Sequence, residues 1–238
     1  MGKTSGPASI YLLAGGRGSL RTDGDPLLMR VLQSCGVPHP SIAYVGAANG
    51  DDQSFLSMIS RYLRKCGAGR VTLAPLAGGG RKVEKAQTIL ESADMVFISG
   101  GDVSVGMKVL EDRQILSFLR ELFDEGKPFF GSSAGSIMLG RQWVRWEDAN
   151  DDATVSLFSC MGFAPIVCDT HGEAERWEEL RTLLRLAPEG TVGYGIPTGA
   201  GLCVYSDGTV ETLGVAVHRY VHTGGSVVRS TDLPPKAV

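Results

Sequence analysis

The 238-residue sequence predicts an α/β protein: three layers, with a mostly parallel sheet flanked by helices and an antiparallel extension at the C-terminal end. Three observations predict it. Short, nearly continuous apolar runs alternate with segments of helical spacing, as strands buried on both faces require. The early runs end at glycines, which suit tight strand-to-helix turns. Late in the chain, Asp207-Gly208 separates two strand-like runs and reads as a two-residue hairpin.

The elements follow in order. Ile10-Tyr11-Leu12-Leu13-Ala14 is a strand stopped by Gly15-Gly16, and Ile42-Ala43-Tyr44-Val45 is a second stopped by Gly46. Between them Leu27, Leu28, Val31 and Leu32 share a helix face. Phe55, Ile59, Leu63 and Cys66 form another stripe, with Gly67 as C-cap. Val71-Thr72-Leu73 is a third strand. Met95 to Ser99 is a fourth, ended by Gly100-Gly101. Ile115, Leu119, Leu122 and Phe123 line a helix that stops at Gly126-Lys127-Pro128, before the strand Phe129-Phe130. After the Asp-Gly hairpin, Val215–Val221 and Val227-Val228 extend the same sheet, and Leu233 to Lys236 is a loose tail. No linker or repeat divides the chain, so one domain over 1–238 is expected.

Bulk properties exclude several function classes. Apolar residues are 43% and charged residues 21%, ordinary values for a globular protein. A net charge of −3 offers no electrostatic footprint for nucleic acid or an anionic membrane. The five cysteines, Cys35, Cys66, Cys160, Cys168 and Cys203, are odd in number and form no C-x-x-C pair, so they read as reduced thiols. Met1 to Ala8 is short and polar, unlike a secretory signal, and no segment is long enough to span a bilayer. The expected location is cytoplasmic.

Gly131-Ser132-Ser133-Ala134-Gly135-Ser136 fits G-x-S-x-G, a nucleophile on a sharp strand-to-helix turn. The pattern counts only in that context, and here a strand enters and Ile137-Met138-Leu139 begins a helix. Free N–H groups at the helix start suit an oxyanion. Parallel sheets carry their sites beyond the carboxyl ends of the strands. The turns at Gly15-Gly16, Gly46, Gly100-Gly101 and Gly131–Gly135 therefore surround one crevice.

A serine nucleophile needs a base and a group to orient it. Of the four histidines, His39 lies between prolines, and His218 and His222 share a strand face without a third ligand for a metal. His171 follows the strand Ile166-Val167-Cys168-Asp169 at its crevice end. Two acids could orient it: Asp148, in the polar loop 147–152, or Asp169, which shares the imidazole's face on an extended chain. The plain alternatives are a solvated turn for the first and a turn-forming Asp for the second. Ala134 N–H and Gly101 N–H could converge as oxyanion donors. Gly15-Gly16-Arg17-Gly18 fits a dinucleotide fingerprint poorly, since the third glycine spacing is missing.

Together, Gly100-Gly101-Asp102, the Gly-Ser-Ser-Ala-Gly-Ser elbow, Asp169-Thr170-His171 and the late pair Gly193-Tyr194-Gly195-Ile196 and Leu202-Cys203-Val204 resemble the S51 family of serine peptidases. That family includes dipeptidase E and cyanophycinase, and the resemblance covers roughly residues 8–215. It implies a class I glutamine amidotransferase-like fold with serine in place of cysteine. It implies Ser133 as nucleophile, His171 as base and Gly101 with Ala134 as oxyanion donors. Asp148 falls where dipeptidase E carries its acid.

The resemblance implies short peptides with an acidic residue as substrates. Asp102 and Arg176 are then substrate-binding residues, and Arg141 is a second candidate cationic anchor. Two departures weaken cyanophycin cleavage: Gly172 follows His171, with Arg176, Arg181 and Arg185 set further out, and the late Gly-Ile segment continues Pro197-Thr198 rather than with acids. The alternatives are an amidase or acyl transferase on the same scaffold, or a catalytically silent binding domain. The expectation is a small peptide as partner, with no nucleic acid, membrane, cofactor or metal. Homodimerisation stays open.

Overall fold

A computed structural model describes residues 8–15, 24–78, 83–148 and 151–236. Residues 1–7, the glycine-rich Gly16-Arg17-Gly18, and Ala149-Asn150 of the polar loop lie outside the described residues. Strands and helices alternate as β1 (Ile10–Leu13), α1 (Pro26–Gln33), β2 (Ile42–Val45), α2 (Gln53–Lys65), β3 (Val71–Leu73), α3 (Val83–Ser92) and β4 (Met95–Ile98). Then come α4 (Val103–Asp112), α5 (Leu116–Asp124), β5 (Phe129–Ser132) and α6 (Ala134–Leu139).

The central sheet has seven strands, including β10 (Ala200–Val204) and β11 (Val210–Gly214), in the order β11-β10-β1-β5-β4-β2-β3. From β1 to β3 all pairs are parallel; β10 and β11 join antiparallel at the β1 edge. Side-chain alternation splits these strands between two cores. Leu12, Val45, Val96, Ile98 and Phe129 face one core with α3 to α6. Leu13, Tyr44, Phe97 and Phe130 face the other with α1 and α2, where Phe97 stacks on Phe130 at 4.8 Å. Both faces are therefore covered, which accounts for the near-continuous apolar strands.

The helix starts have local causes. Asp25 Oδ1 accepts from Leu27 N–H ahead of Pro26, and Asp52 Oδ1 accepts from Phe55 N–H. Asp102 Oδ1 caps α4 through Val105 N–H. Helix α4 was not read from the sequence; it buries Val103, Met107 and Leu110.

The C-terminal third differs from the expected single extension. The Asp207-Gly208 hairpin forms and extends the central sheet, with a longer loop. Gly208, at φ 83, donates to Tyr205 O, and Tyr205 N–H donates to Thr209 O. Strands β12 (His218–Thr223) and β13 (Ser226–Arg229) belong instead to a second sheet, β13-β12-β9-β8, with β8 (Val167–Thr170) and β9 (Val192–Ile196). Helix α7 (Glu178–Leu186) covers it, and a side chain on Gly193 would meet Leu180 and Leu184. Strands β6 (Gln142–Trp146) and β7 (Val155–Ser159) form a separate hairpin after α6. The tail is pinned: Leu233 and Val217 exchange backbone bonds, Lys236 O accepts from Gly214 N–H, and Lys236 pairs with Glu211.

Lys127 joins α3 to the loop before β5. Its ammonium donates to the carbonyls of Leu90, Glu91 and Ala93, at 2.9, 2.7 and 2.6 Å. A cation there satisfies carbonyls that the helix end leaves open. Lys127→Met is expected to lower unfolding free energy by about 2–3 kcal/mol in urea titration. A loss below about 0.5 kcal/mol would mean water replaces the ammonium.

Candidate active site

Beyond the end of β5 the chain reverses at Ser133 into α6. Ser133 has φ 54 and ψ −129, a region where non-glycine residues are strained. The surroundings impose it. Ser133 N–H and Ser136 Oγ both donate to Leu13 O, at 3.0 and 2.8 Å, and Ser136 N–H donates to Ser133 O. Two glycines let the turn lie flat on the sheet: a Cβ on Gly135 would sit 2.0 Å from Ile98 O, and one on Gly131 would sit 2.6 Å from the Gly135 carbonyl carbon. Ser136 is wholly buried; Ser132 is half-buried, with its Oγ against Gly15.

His171 follows β8 with φ 45. Its N–H donates to Ile196 O across to β9, and its Nε2 lies 2.7 Å from Ser133 Oγ. Among the described residues these are its hydrogen bonds. The second sheet thus carries the imidazole to a serine on the first.

Three carboxylates lie along the adjoining chain. Asp169 is 5% exposed; its Oδ1 accepts from Thr170 N–H, and its Oδ2 lies under Gly172. Burial pushes its carboxyl up to about 7, against the pull of the Thr170 N–H, with Glu179, Glu175 and Glu173 adding repulsion. Asp148 is exposed on the turn after β6, where Thr154 Oγ1 bonds both its N–H and its carbonyl. Glu173 reaches the Pro197-Thr198 turn and accepts from Thr198 N–H at 2.6 Å.

Gly101 and Ala134 flank Ser133. Among the described residues neither N–H donates to a protein acceptor. Gly101 has φ 146, and a Cβ there would meet Ala48 O at 2.1 Å. Sequence reasoning missed the residue behind it. Asn49 Nδ2 donates to Gly100 O at 2.9 Å, and also reaches Tyr44 OH and Ser99 Oγ. A planar trans peptide points its N–H opposite its carbonyl, so the bond from Asn49 also fixes the direction of Gly101 N–H. The Gly46 turn, which carries Asn49, was the available signal. Trp177 was missed as well: its ring fills the space left by Gly172 and Gly195 beneath the His171 loop.

Two hollows meet at Ser133 and His171. One, of about 450 Å³, is walled by apolar side chains of β1, β4, α1 and α2. The other is walled by Asp102, Asp169, Glu175, Glu178, Glu179, Arg145 and Trp146. Burial, with Glu175 and Asp102 close by, also pushes the Glu179 carboxyl up. Asp102 sits on this rim as the α4 cap. Arg176 is exposed on the turn after Glu173 and lines neither hollow, and Arg141 lines a separate one beside Glu189 and Tyr194.

Among the described residues no cluster of His, Cys, Asp and Glu could hold a metal ion. His218 pairs with Asp232, and His222 and His39 contact the carbonyls of Ala187 and Gly67. The five cysteines are free thiols. Among the described residues no helix is long and apolar enough to cross a membrane.

The chain matches the model of peptidase family S51 over residues 10–212. It is 30% identical to peptidase E of Pasteurella multocida over 131 residues, 51% of this chain and 55% of that protein. It is 29% identical to peptidase E of Haemophilus influenzae (strain KW20) over 124 residues, 48% and 56% of the two chains. The chain spans about half the length of the curated relatives it matches. A crystal structure of a peptidase from an acI-B1 Actinobacterium superposes with a TM-score of 0.72 at 16% identity, covering 98% of this chain and 96% of that one. At that identity the likeness is one of fold.

At Ser133, glycine relieves about 1–3 kcal/mol of backbone strain and costs about 1 kcal/mol in unfolded-chain entropy. Ser133→Gly is therefore expected to unfold at higher denaturant than wild type while losing all reaction with a fluorophosphonate. A clearly destabilised variant would mean the turn is relaxed as serine.

A second prediction concerns pH. The folded Asp169 carboxyl keeps its proton to about pH 7, whereas the unfolded one releases it near 3.8. Below both values the carboxyl is neutral in either state. As pH rises between them, the unfolded state ionises first and stability falls. The advantage of Asp169→Asn over wild type is expected to grow by about 2–4 kcal/mol from pH 4 to pH 8 in urea titrations. A pH-independent difference would mean Asp169 is ionised in the fold.

Proposed function

Because the chain belongs to peptidase family S51, we propose that it hydrolyses short peptides, with Ser133 as nucleophile and His171 as general base. The observation that carries the reading is the 2.7 Å contact between Ser133 Oγ and His171 Nε2 at the tip of a strained turn. That contact lies within hydrogen-bond reach of a proton to be abstracted. It also favours a working enzyme over a silent domain. The architecture proposed is that of the class I glutamine amidotransferases, with serine as nucleophile, in a single domain working in the cytoplasm.

The steps follow from these groups. His171 Nε2 takes the proton as Ser133 Oγ adds to the scissile carbonyl carbon. The oxygen becomes an oxyanion, which the N–H groups of Gly101 and Ala134 would bind, the former held in aim by Asn49. His171 then protonates the departing amine as the C–N bond breaks. Water, deprotonated by the same imidazole, hydrolyses the ester left on Ser133. For the orienting acid the proposal retains Asp148. It lies between Ser133 and His171 in the chain, and β6, whose Arg145 and Trp146 wall the cleft, leads to it. Asp169 supports the His171 loop from below.

A preference for an acidic residue is not part of the proposal. Five carboxylates line one hollow beside Ser133, and Arg176 and Arg141 line neither.

The test is labelling by a fluorophosphonate together with turnover of a dipeptide library. Wild type should react at Ser133 and cleave; Ser133→Ala should do neither, with turnover down at least about a thousandfold. His171→Ala should be comparably slow. Of Asp148→Asn, Asp169→Asn and Glu173→Gln, the first should cost the most turnover. A wild-type protein inert to both assays would end the peptidase reading. A dominant loss in Asp169→Asn or Glu173→Gln would move the acid to the histidine's own strand and loop.

A further inference from the structure

The apolar hollow beside Ser133 has a chemistry that the peptidase reading does not use. Its floor is Leu13 and Phe97, at the carboxyl ends of β1 and β4. Its walls come from Leu27 and Leu28 on α1 and from Phe55 and Ile59 on α2. Ser133, Gly100, Gly101 and His171 form its mouth, so whatever occupies it lies against the reacting atoms.

The polar groups around it are engaged elsewhere. Asp25 caps α1 through Oδ1 and accepts from Tyr62 OH through Oδ2, at 2.9 and 2.8 Å. Ser99 Oγ accepts from Tyr44 OH and Asn49 Nδ2. Its volume of about 450 Å³ lies within the range of sites that bury a small ligand. Helix α2 turns Phe55, Ile59 and Tyr62 toward it only half-buried, and Met58 remains 48% exposed at the rim. Apolar side chains left short of partners beside a reactive serine are what an apolar substrate group would cover. Among the described residues that line the hollow the one ionisable base is His171, at the mouth, so a carboxylate set deeper would lose its hydration without a counter-charge beside it.

We propose that this hollow is a specificity subsite for a bulky apolar side chain, of the size of Leu, Met or Phe, on a residue adjoining the scissile bond. The inference rests on the peptidase reading and adds the substrate class to it. Ile59 and Met58 are specificity residues that touch this side chain.

The experiment measures kcat/KM for unblocked dipeptides carrying Leu, Phe, Ala, Asp or Lys at each position in turn, with the other residue held as Ala. Wild type, Ile59→Trp and Met58→Asp are compared, and Ser133 labelling by a fluorophosphonate is followed in each preparation. In wild type, Leu or Phe at one of the two positions should exceed Ala by about 100-fold, and Asp should fall below Ala. Ile59→Trp fills the hollow, and Met58→Asp sets a charge at its rim. Each should cut the Leu-to-Ala ratio at least about tenfold, and Met58→Asp keeps the test available if Ile59→Trp does not fold.

A labelled Ser133 with Leu no better than Ala, or with Asp preferred, overturns the subsite and leaves the peptidase reading standing. So does a Leu-to-Ala ratio unchanged in folded variants. A wild-type protein that neither labels at Ser133 nor cleaves any dipeptide overturns both.

Discussion

The backbone of the Ser133 turn presses on the carbonyl of Ile98 so closely that a methyl group on Gly135 would lie 2.0 Å from it. Most of the site's geometry follows from that contact. With no side chain at Gly131 or Gly135, α6 starts directly on β4 and β5, and the chain can enter it only by a sharp reversal. The reversal puts Ser133 at φ 54, and two bonds to the Leu13 carbonyl, from Ser133 N–H and Ser136 Oγ, hold it there. The strain persists because cores on both faces of the sheet over-determine it. Ser133 Oγ is thereby presented to the crevice, while the neighbouring Ser136 hydroxyl is buried.

The same tightness governs the opposite wall. Gly101 lies against Ala48 O with no room for a side chain, and Asp102 N–H donates to that same carbonyl. Asn49 then fixes the Gly100 carbonyl. Two consecutive peptide groups are thus held by a short turn after β2, a strand not adjacent to β5. Polar order at this wall is structural first, and the direction of Gly101 N–H is its consequence.

His171 arrives by a different route. It stands on the second sheet, and its approach to Ser133 depends on β8 pairing with β9 and on Trp177 filling the space beside Gly195 and Gly172. Beneath it Asp169 is buried at a cost in ionisation, which ties the stability of this loop to pH. Around the two groups the crevice divides into an apolar hollow and an acid-lined one, so the surroundings of one serine differ sharply in polarity from side to side.

How much of this was legible in the chain can be argued residue by residue. Apolar runs ended by glycine located the parallel strands, because strands buried on both faces have no polar positions to interrupt them. The G-x-S-x-G spacing located the turn at Ser133, and the strand-end position singled out His171 from four histidines. Those are local signals, written within a few residues. The split of the C-terminal strands into a second sheet was not legible: each strand is short, and β12 pairs with β9, which precedes β10 and β11 in the chain. Asn49 and Trp177 were not legible either, since their work is done across 50 residues or through a ring filling space left by two glycines. The sequence by itself determined the five parallel strands, the glycine turns and the strand-end positions of Ser133 and His171. Only the tertiary structure decided which sheet brings His171 to Ser133 and what chemistry walls the two sides, because both depend on side chains distant in sequence meeting beyond the carboxyl ends of the strands.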